Sequence, residues 1–166
     1  MTMTCVVREA KSGDEEGILK LLHELQNYEI KLHPGRRPWK AKDPRAYYQA
    51  VMRRLKAGGG KVYVAEMGKK LVGLIMGWIE NDRHDLLVRN NEKRYGFIGE
   101  TVVTKSARRK GVYDALAEKM ESYLFRKGVK RVRTRTLGKN YAMQSATKAR
   151  NYSAYELVLE KSRGRI

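Results

Sequence analysis

Apolar residues follow two rhythms along this chain, and the switches between them mark the elements. After a short strand predicted over 5–8, Ile18, Leu21, Leu22, Leu25 and Tyr28 recur every three or four residues, as one face of a helix does. Ser12 or Asp14 can cap that helix, and Glu15 and Glu16 put acids in its first turn. Tyr48, Val51, Met52 and Leu55 repeat the helical spacing. Asp43-Pro44 opens this second helix, because proline suits the first helical position, and Gly58-Gly59-Gly60 ends it. The rhythm then changes to strands over 61–66 and 71–79, joined by a hairpin turn over 67–70. The second of these is almost continuously apolar, which predicts burial on both faces. Its Gly73 and Gly77 predict close packing or a bulge. The polar, basic stretch 81–94 reads as a loop and 95–103 as a third strand of this run.

Helical spacing returns in Val112, Leu116, Met120, Tyr123 and Leu124, closed by Lys127-Gly128. A strand is predicted over 129–137, a turn over 138–140 and a short helix over 141–149. A last strand over 152–161 has Tyr155, Leu157 and Leu159 on one face, and 162–166 reads as a tail. The order β-α-α-β-β-β-α-β-α-β predicts a mixed α/β (α+β) fold with a mostly antiparallel central sheet and helices on both faces. With no repeat and no linker, 1–166 reads as one domain, large enough to bury its own core.

The stretch 99–113 carries the clearest chemistry. Val102 and Val103 are β-branched, as a strand prefers. A basic loop with Arg108, Arg109, Lys110 and Gly111 leads from them into a helix. Free amides and the positive end of the helix dipole meet there, which suits an anion and above all a phosphate. Gly111 lets backbone approach a ligand with no Cβ in the way.

Composition narrows the field. One cysteine, Cys5, excludes an intrachain disulfide and a cysteine metal site, so a cytoplasmic location is expected. The first residues lack the pattern of a signal peptide, and no apolar run is long enough to cross a bilayer. His23, His33 and His84 show no ligand spacing, so no metal is expected. Ser106 and Ser145 lie in no nucleophile motif. The net charge is +18, from 36 Lys and Arg against 18 Asp and Glu. That charge favours nucleic acid or ribosomes, a polyanionic cofactor, or only a generally basic surface. Arg131, Arg133 and Arg135 read as the solvated side of their strand, and Tyr47 and Tyr48 as core.

These residues resemble the GNAT superfamily of N-acetyltransferases. The signature of Arg or Gln, two residues, Gly, one residue, then Gly or Ala is met by Arg108-Arg109-Lys110-Gly111-Val112-Tyr113, with Tyr113 in place of the last small residue. Between a buried strand and an amphipathic helix this short pattern gains specificity. The resemblance implies acetyl-CoA as acetyl donor, with the backbone of Arg109 to Tyr113 holding its pyrophosphate. It implies that Thr101, Val102 and Val103 pair with the pantetheine arm like an added strand, and that Asn140 is a further landmark of the site. It also implies that Glu100 takes the proton of the amine, directly or through water. Where the family often has a tyrosine to protonate the departing thiolate stands Thr147, with Tyr141 and Tyr152 as nearby substitutes. The acceptor is then a primary amine: a small amine, a protein N-terminus, a lysine or an amine carried on RNA. A basic RNA- or ribosome-associated module that keeps the fold is the alternative. A homodimer is implied by analogy with the family.

Overall fold

In the computed structural model of this chain, which describes residues 5–161 and Arg163, five strands form one sheet. They are β1 (Cys5–Glu9), β2 (Lys61–Met67), β3 (Lys70–Asn81), β4 (Arg94–Val103) and β5 (Val132–Thr134), side by side in sequence order. β1 to β4 pair antiparallel, and β5 joins β4 in parallel. The helices are α1 (Glu15–Glu29) and α2 (Asp43–Ala57) after β1, α3 (Val112–Arg126) between β4 and β5, and α4 (Tyr141–Ala149) after β5.

Successive strand residues point to opposite faces, and here both faces are covered. Val62, Val64, Leu74 and Met76 meet α1 and α2 through Ile18, Leu22, Val51 and Leu55. Their neighbours Tyr63, Ala65 and Ile75 meet α3 through Val112, Leu116, Met120 and Leu124. A fully buried side chain of this size contributes ~1.5–3 kcal/mol, so the two layers hold the sheet from both sides. Gly73 and Gly77 serve the closeness of α3: a Cβ there would come within 2.9 Å of Leu116 and 2.7 Å of Met120. The ladder with β4 shifts register between Met76 and Gly77, but both glycines are paired there and the extra residue lies on β4.

The entry to α1 is tied to the sheet by ions. Arg8 on β1 meets Asp14 at 2.7 Å and Glu66 on β2 at 2.7 Å. The hydrogen bonds from Arg8, with the Lys11 amide, hold the Asp14 carboxyl down at about 2 against the desolvating effect of burial. A carboxylate whose pKa is depressed by folding stabilises above its unfolded value and loses that contribution as pH falls through the folded one. Asp14→Asn should therefore melt several degrees below the parent at pH 7. The gap should close between about pH 4 and pH 2, read by thermal unfolding across pH.

Two expectations change. The strand expected over 129–137 shortens to Val132–Thr134, because only Gly96, Phe97 and Ile98 of β4 pair with it. The strand expected over 152–161 does not form: the segment has no ladder partner among the described residues. Leu157, Val158 and Leu159 stand 80–90% exposed. An alternating pattern can favour extended backbone, but a strand also needs a neighbour for its amides and carbonyls. The mixed fold class holds, and the observed order ends on α4. Of the expected tail over 162–166, all but Arg163 lies outside the described residues.

Candidate active site

The site begins with one unmatched residue. Met76 pairs with Glu100 and Gly77 with Ile98, so Gly99 is an extra residue in β4. Such a bulge bends its strand. β5 follows β4 only through Ile98, and from Glu100 to Val103 the side of β4 away from β3 has no strand partner among the described residues. Gly99 is required here by space: a Cβ would stand 2.3 Å from the buried Trp78 ring. Gly99→Ala should cost ~1–3 kcal/mol by overpacking, seen as a melting temperature several degrees lower.

Amide directions alternate along a strand. The Thr104 amide donates to the Val72 carbonyl on the β3 side, so Val103 and Thr101 turn theirs to the open edge. The Val103 carbonyl there accepts from Arg108 Nε at 3.0 Å. Thr101 Oγ1 is buried with no hydrogen-bond partner, an uncompensated polar atom in the same strand.

The loop after β4 runs into α3 through two left-handed residues, Arg109 at φ 60° and Gly111 at φ 74°. For arginine that conformation costs ~1–2 kcal/mol. The first bond of α3 runs from the Ala115 amide to the Gly111 carbonyl at 3.0 Å. The amides of Arg109 to Asp114 ahead of it donate to no protein acceptor among the described residues. Backbone of this kind forms a concave amide cradle for anions. Val112 is buried, and the Tyr113 ring packs toward the α3 core near Glu121 and Arg150, where burial pushes its hydroxyl up to about 12. Its bulk therefore turns away from the cradle. Lys110 is exposed beside it.

Glu100 faces the opposite side of the sheet, toward α1 and α2, because it pairs with Met76 of that layer. It accepts a hydrogen bond from the Tyr47 hydroxyl of α2. Burial pushes its carboxyl above the ordinary range, partly offset by that bond, and nearby Glu29 adds to the rise. Burial and the Glu100 charge in turn keep the Tyr47 hydroxyl protonated beyond the usual phenol range. Tyr47, expected in the core, is thus a site residue the reading of the sequence missed. It stands 37% exposed, one turn before the buried Val51, at the edge of the core and not in it.

The remaining landmarks are less free than the sequence suggested. Asn140 Oδ1 caps α4 by accepting from the Met143 amide at 3.2 Å, and takes the Tyr28 hydroxyl at 3.4 Å. Tyr28 in turn lies beneath the Arg108 guanidinium, 5.4 Å from ring centroid to charge. The Thr147 hydroxyl donates back to the carbonyls of Met143 and Gln144, both at 3.0 Å. Tyr152 donates to Glu121 at 3.0 Å, and Tyr141 is 70% exposed. Arg133 is not solvated as expected but sandwiched between the rings of Tyr95 and Tyr155, at 3.9 and 4.0 Å. Among the described residues no group of His, Cys, Asp and Glu could hold a metal.

The sequence matches the acetyltransferase (GNAT) family over residues 22–152. The chain belongs to that family. No curated protein matches it in sequence. Several solved structures share its fold over almost the whole length. A candidate acetyl transferase from Pyrococcus furiosus is 25% identical with a TM-score of 0.72, covering 96% of this chain and all of that one. A point mutant of the BH1408 protein from Bacillus halodurans reaches 0.81 at 14% identity, over 95% and 99% of the two chains. An aminoglycoside N-acetyltransferase, AAC(6')-Iy, in complex with CoA reaches 0.73 at 17% identity, over 98% and 97%. No helix of this GNAT chain, among the described residues, is long and apolar enough to cross a membrane.

Proposed function

We propose that this protein transfers the acetyl group of acetyl-CoA directly to a primary amine. The observation that carries the reading is the open edge of β4, lying between the amide cradle at Gly111 and the Glu100 carboxyl. The residues fit such a donor on three independent counts. The cradle offers amides with no acceptor, the strand edge offers backbone with no strand partner, its Val103 carbonyl held by Arg108, and Thr101 Oγ1 lacks a partner, all among the described residues. In this reading the amides of Arg109 to Tyr113 hold the pyrophosphate and Thr101 to Val103 line the pantetheine arm. Arg108 fixes the end of β4 through the Val103 carbonyl. Asn140, its oxygen occupied, has its amide nitrogen left to offer. The bound donor supplies an acyl carbon open to attack by nitrogen.

Glu100 is assigned the proton of the attacking amine. A base works best with a pKa near the operating pH, and burial raises this one in that direction. Tyr47 fixes the orientation of the carboxylate. Proton return to the leaving sulfur is not assigned to Thr147 or Tyr152, whose hydroxyls are bonded elsewhere.

The test is thermal unfolding with acetyl-CoA, desulfo-CoA and adenosine, followed by thiol release over an amine panel. A ligand at 100 times its Kd stabilises by ~2.7 kcal/mol. A rise with the first two ligands and none with adenosine supports the donor site. Thiol release then separates an enzyme from a basic RNA- or ribosome-associated module, which would hold RNA in a strongly salt-dependent way and release none.

A further inference from the structure

Resting on that reading, we propose that the acceptor amine is carried by an acidic peptide. Glu100 lies among charged groups of α1, α2 and the segment between them. Tyr47, Glu29, Arg36 and Arg54 are the groups that act on its carboxyl. The Glu29 charge is matched by Arg36 at 3.4 Å. Arg54, on the same face of α2 two turns beyond Tyr47, is exposed and has no acidic partner among the described residues. In the segment from α1 to α2, residues 31–42, Arg36 is matched by Glu29 and Arg37 by Asp43 at 2.6 Å, which leaves Lys31, Lys40 and Lys42 with no acidic partner among the described residues. It packs beside the site through Trp39, whose ring centroid is 5.3 Å from that of Tyr47. With Glu29 and Asp43 each matched by an arginine, the charges left over beside Glu100 are cations: Arg54 and the lysines of 31–42.

A polyamine or an amino sugar with several ammonium groups needs acids at the rim as well as at the centre, and this rim repels it. An acidic peptide supplies both requirements at once: an aliphatic amine for Glu100 and carboxylates for Arg54, Lys40 and Lys42. Bare nucleic acid has the charge but not the nucleophile, because nucleobase amines delocalise their lone pair into the ring; only an aliphatic amine attached to it could serve. In the transfer, the amine nitrogen bonds to the acyl carbon and gives its proton to Glu100. The bond from that carbon to sulfur breaks, and its electron pair leaves with the sulfur. The products are an acetylated peptide and the CoA thiolate, which takes a proton from solvent water while Glu100 gives its own back to solvent.

The experiment is thiol release from acetyl-CoA with length-matched peptides bearing one aliphatic amine flanked by Glu or by Arg, beside an aminoglycoside. The Glu peptide should lead in kcat/KM by at least tenfold at low salt, with the gap closing as salt screens exposed charge. The double variant Lys40→Glu/Arg54→Glu should shrink or invert that ranking while acetyl-CoA still raises its melting temperature. Equal turnover of both peptides, or a lead for the Arg peptide or the aminoglycoside, overturns the proposal and leaves acetyl transfer standing. Salt-dependent RNA binding with no peptide preference overturns it in favour of nucleic acid at this rim. Donor binding without thiol release from any amine overturns the transfer reading, and this proposal with it.

Discussion

Replacing Gly111 by Glu should abolish the stabilisation that acetyl-CoA gives, with an affinity loss of roughly 100-fold or more. Two effects combine, and a second variant separates them. Gly111 sits at φ 74°, where any other L-residue is strained, yet a Cβ there meets nothing within 4 Å. Gly111→Ala should therefore cost only the left-handed strain, about 1–2 kcal/mol. Its melting point should fall while much of the ligand-induced rise remains. Gly111→Glu adds a negative charge beside amides with no other acceptor, where like-charge contact with a phosphate costs several kcal/mol. Equal ligand responses in the two variants would remove the cradle from the donor site.

Glu100→Gln should lower kcat/KM by on the order of 100-fold to 10,000-fold, the usual contribution of a positioned base, with acetyl-CoA affinity unchanged. The parent should lose activity as pH falls and Glu100 takes up its proton. That limb should lie above the ordinary carboxylate range, since burial raises this group. In the glutamine variant the limb should vanish. Stability should move the other way. A carboxyl whose pKa is raised by folding is most at ease protonated, so ionising it costs stability as pH rises through its unfolded value toward the folded one. Glu100→Gln should thus melt above the parent at pH 7, with the difference fading below about pH 4. Unchanged turnover with that same stability pattern would make Glu100 a buried carboxylate without the base role.

Much of this was legible because it is local. Cradle, helix start and strand were readable from Val102 to Leu124, where glycine, β-branching and helical spacing agree within one short stretch. Pairing was not. Whether 152–161 forms a strand depends on a neighbour far away in the chain, and its alternation says nothing about whether that neighbour exists. Tyr47 was hidden for a related reason. Its helical position is that of a core residue, and only the meeting of α2 with β4, 53 positions apart, gives its hydroxyl a carboxylate. Arg133 reads as a solvated charge in the sequence because alternation reports sidedness and not what lies on each side. Two tyrosines from elsewhere enclose it.

Glu100 and Thr101 are consecutive, yet one faces α1 and α2 and the other pairs with Ile75 on the α3 side. The strand between them is one backbone thick. Under the proposed assignment, the acetyl group need only pass from one molecule to another around the open edge of that wall. Neither visitor then blocks the other's entrance, and the protein never stores the acyl group on a side chain of its own. Both must be resident at once for anything to happen. The traffic is that of a meeting place with two doors, so double-reciprocal rate plots for the two substrates belong to the intersecting kind and not to the parallel lines of a shuttle.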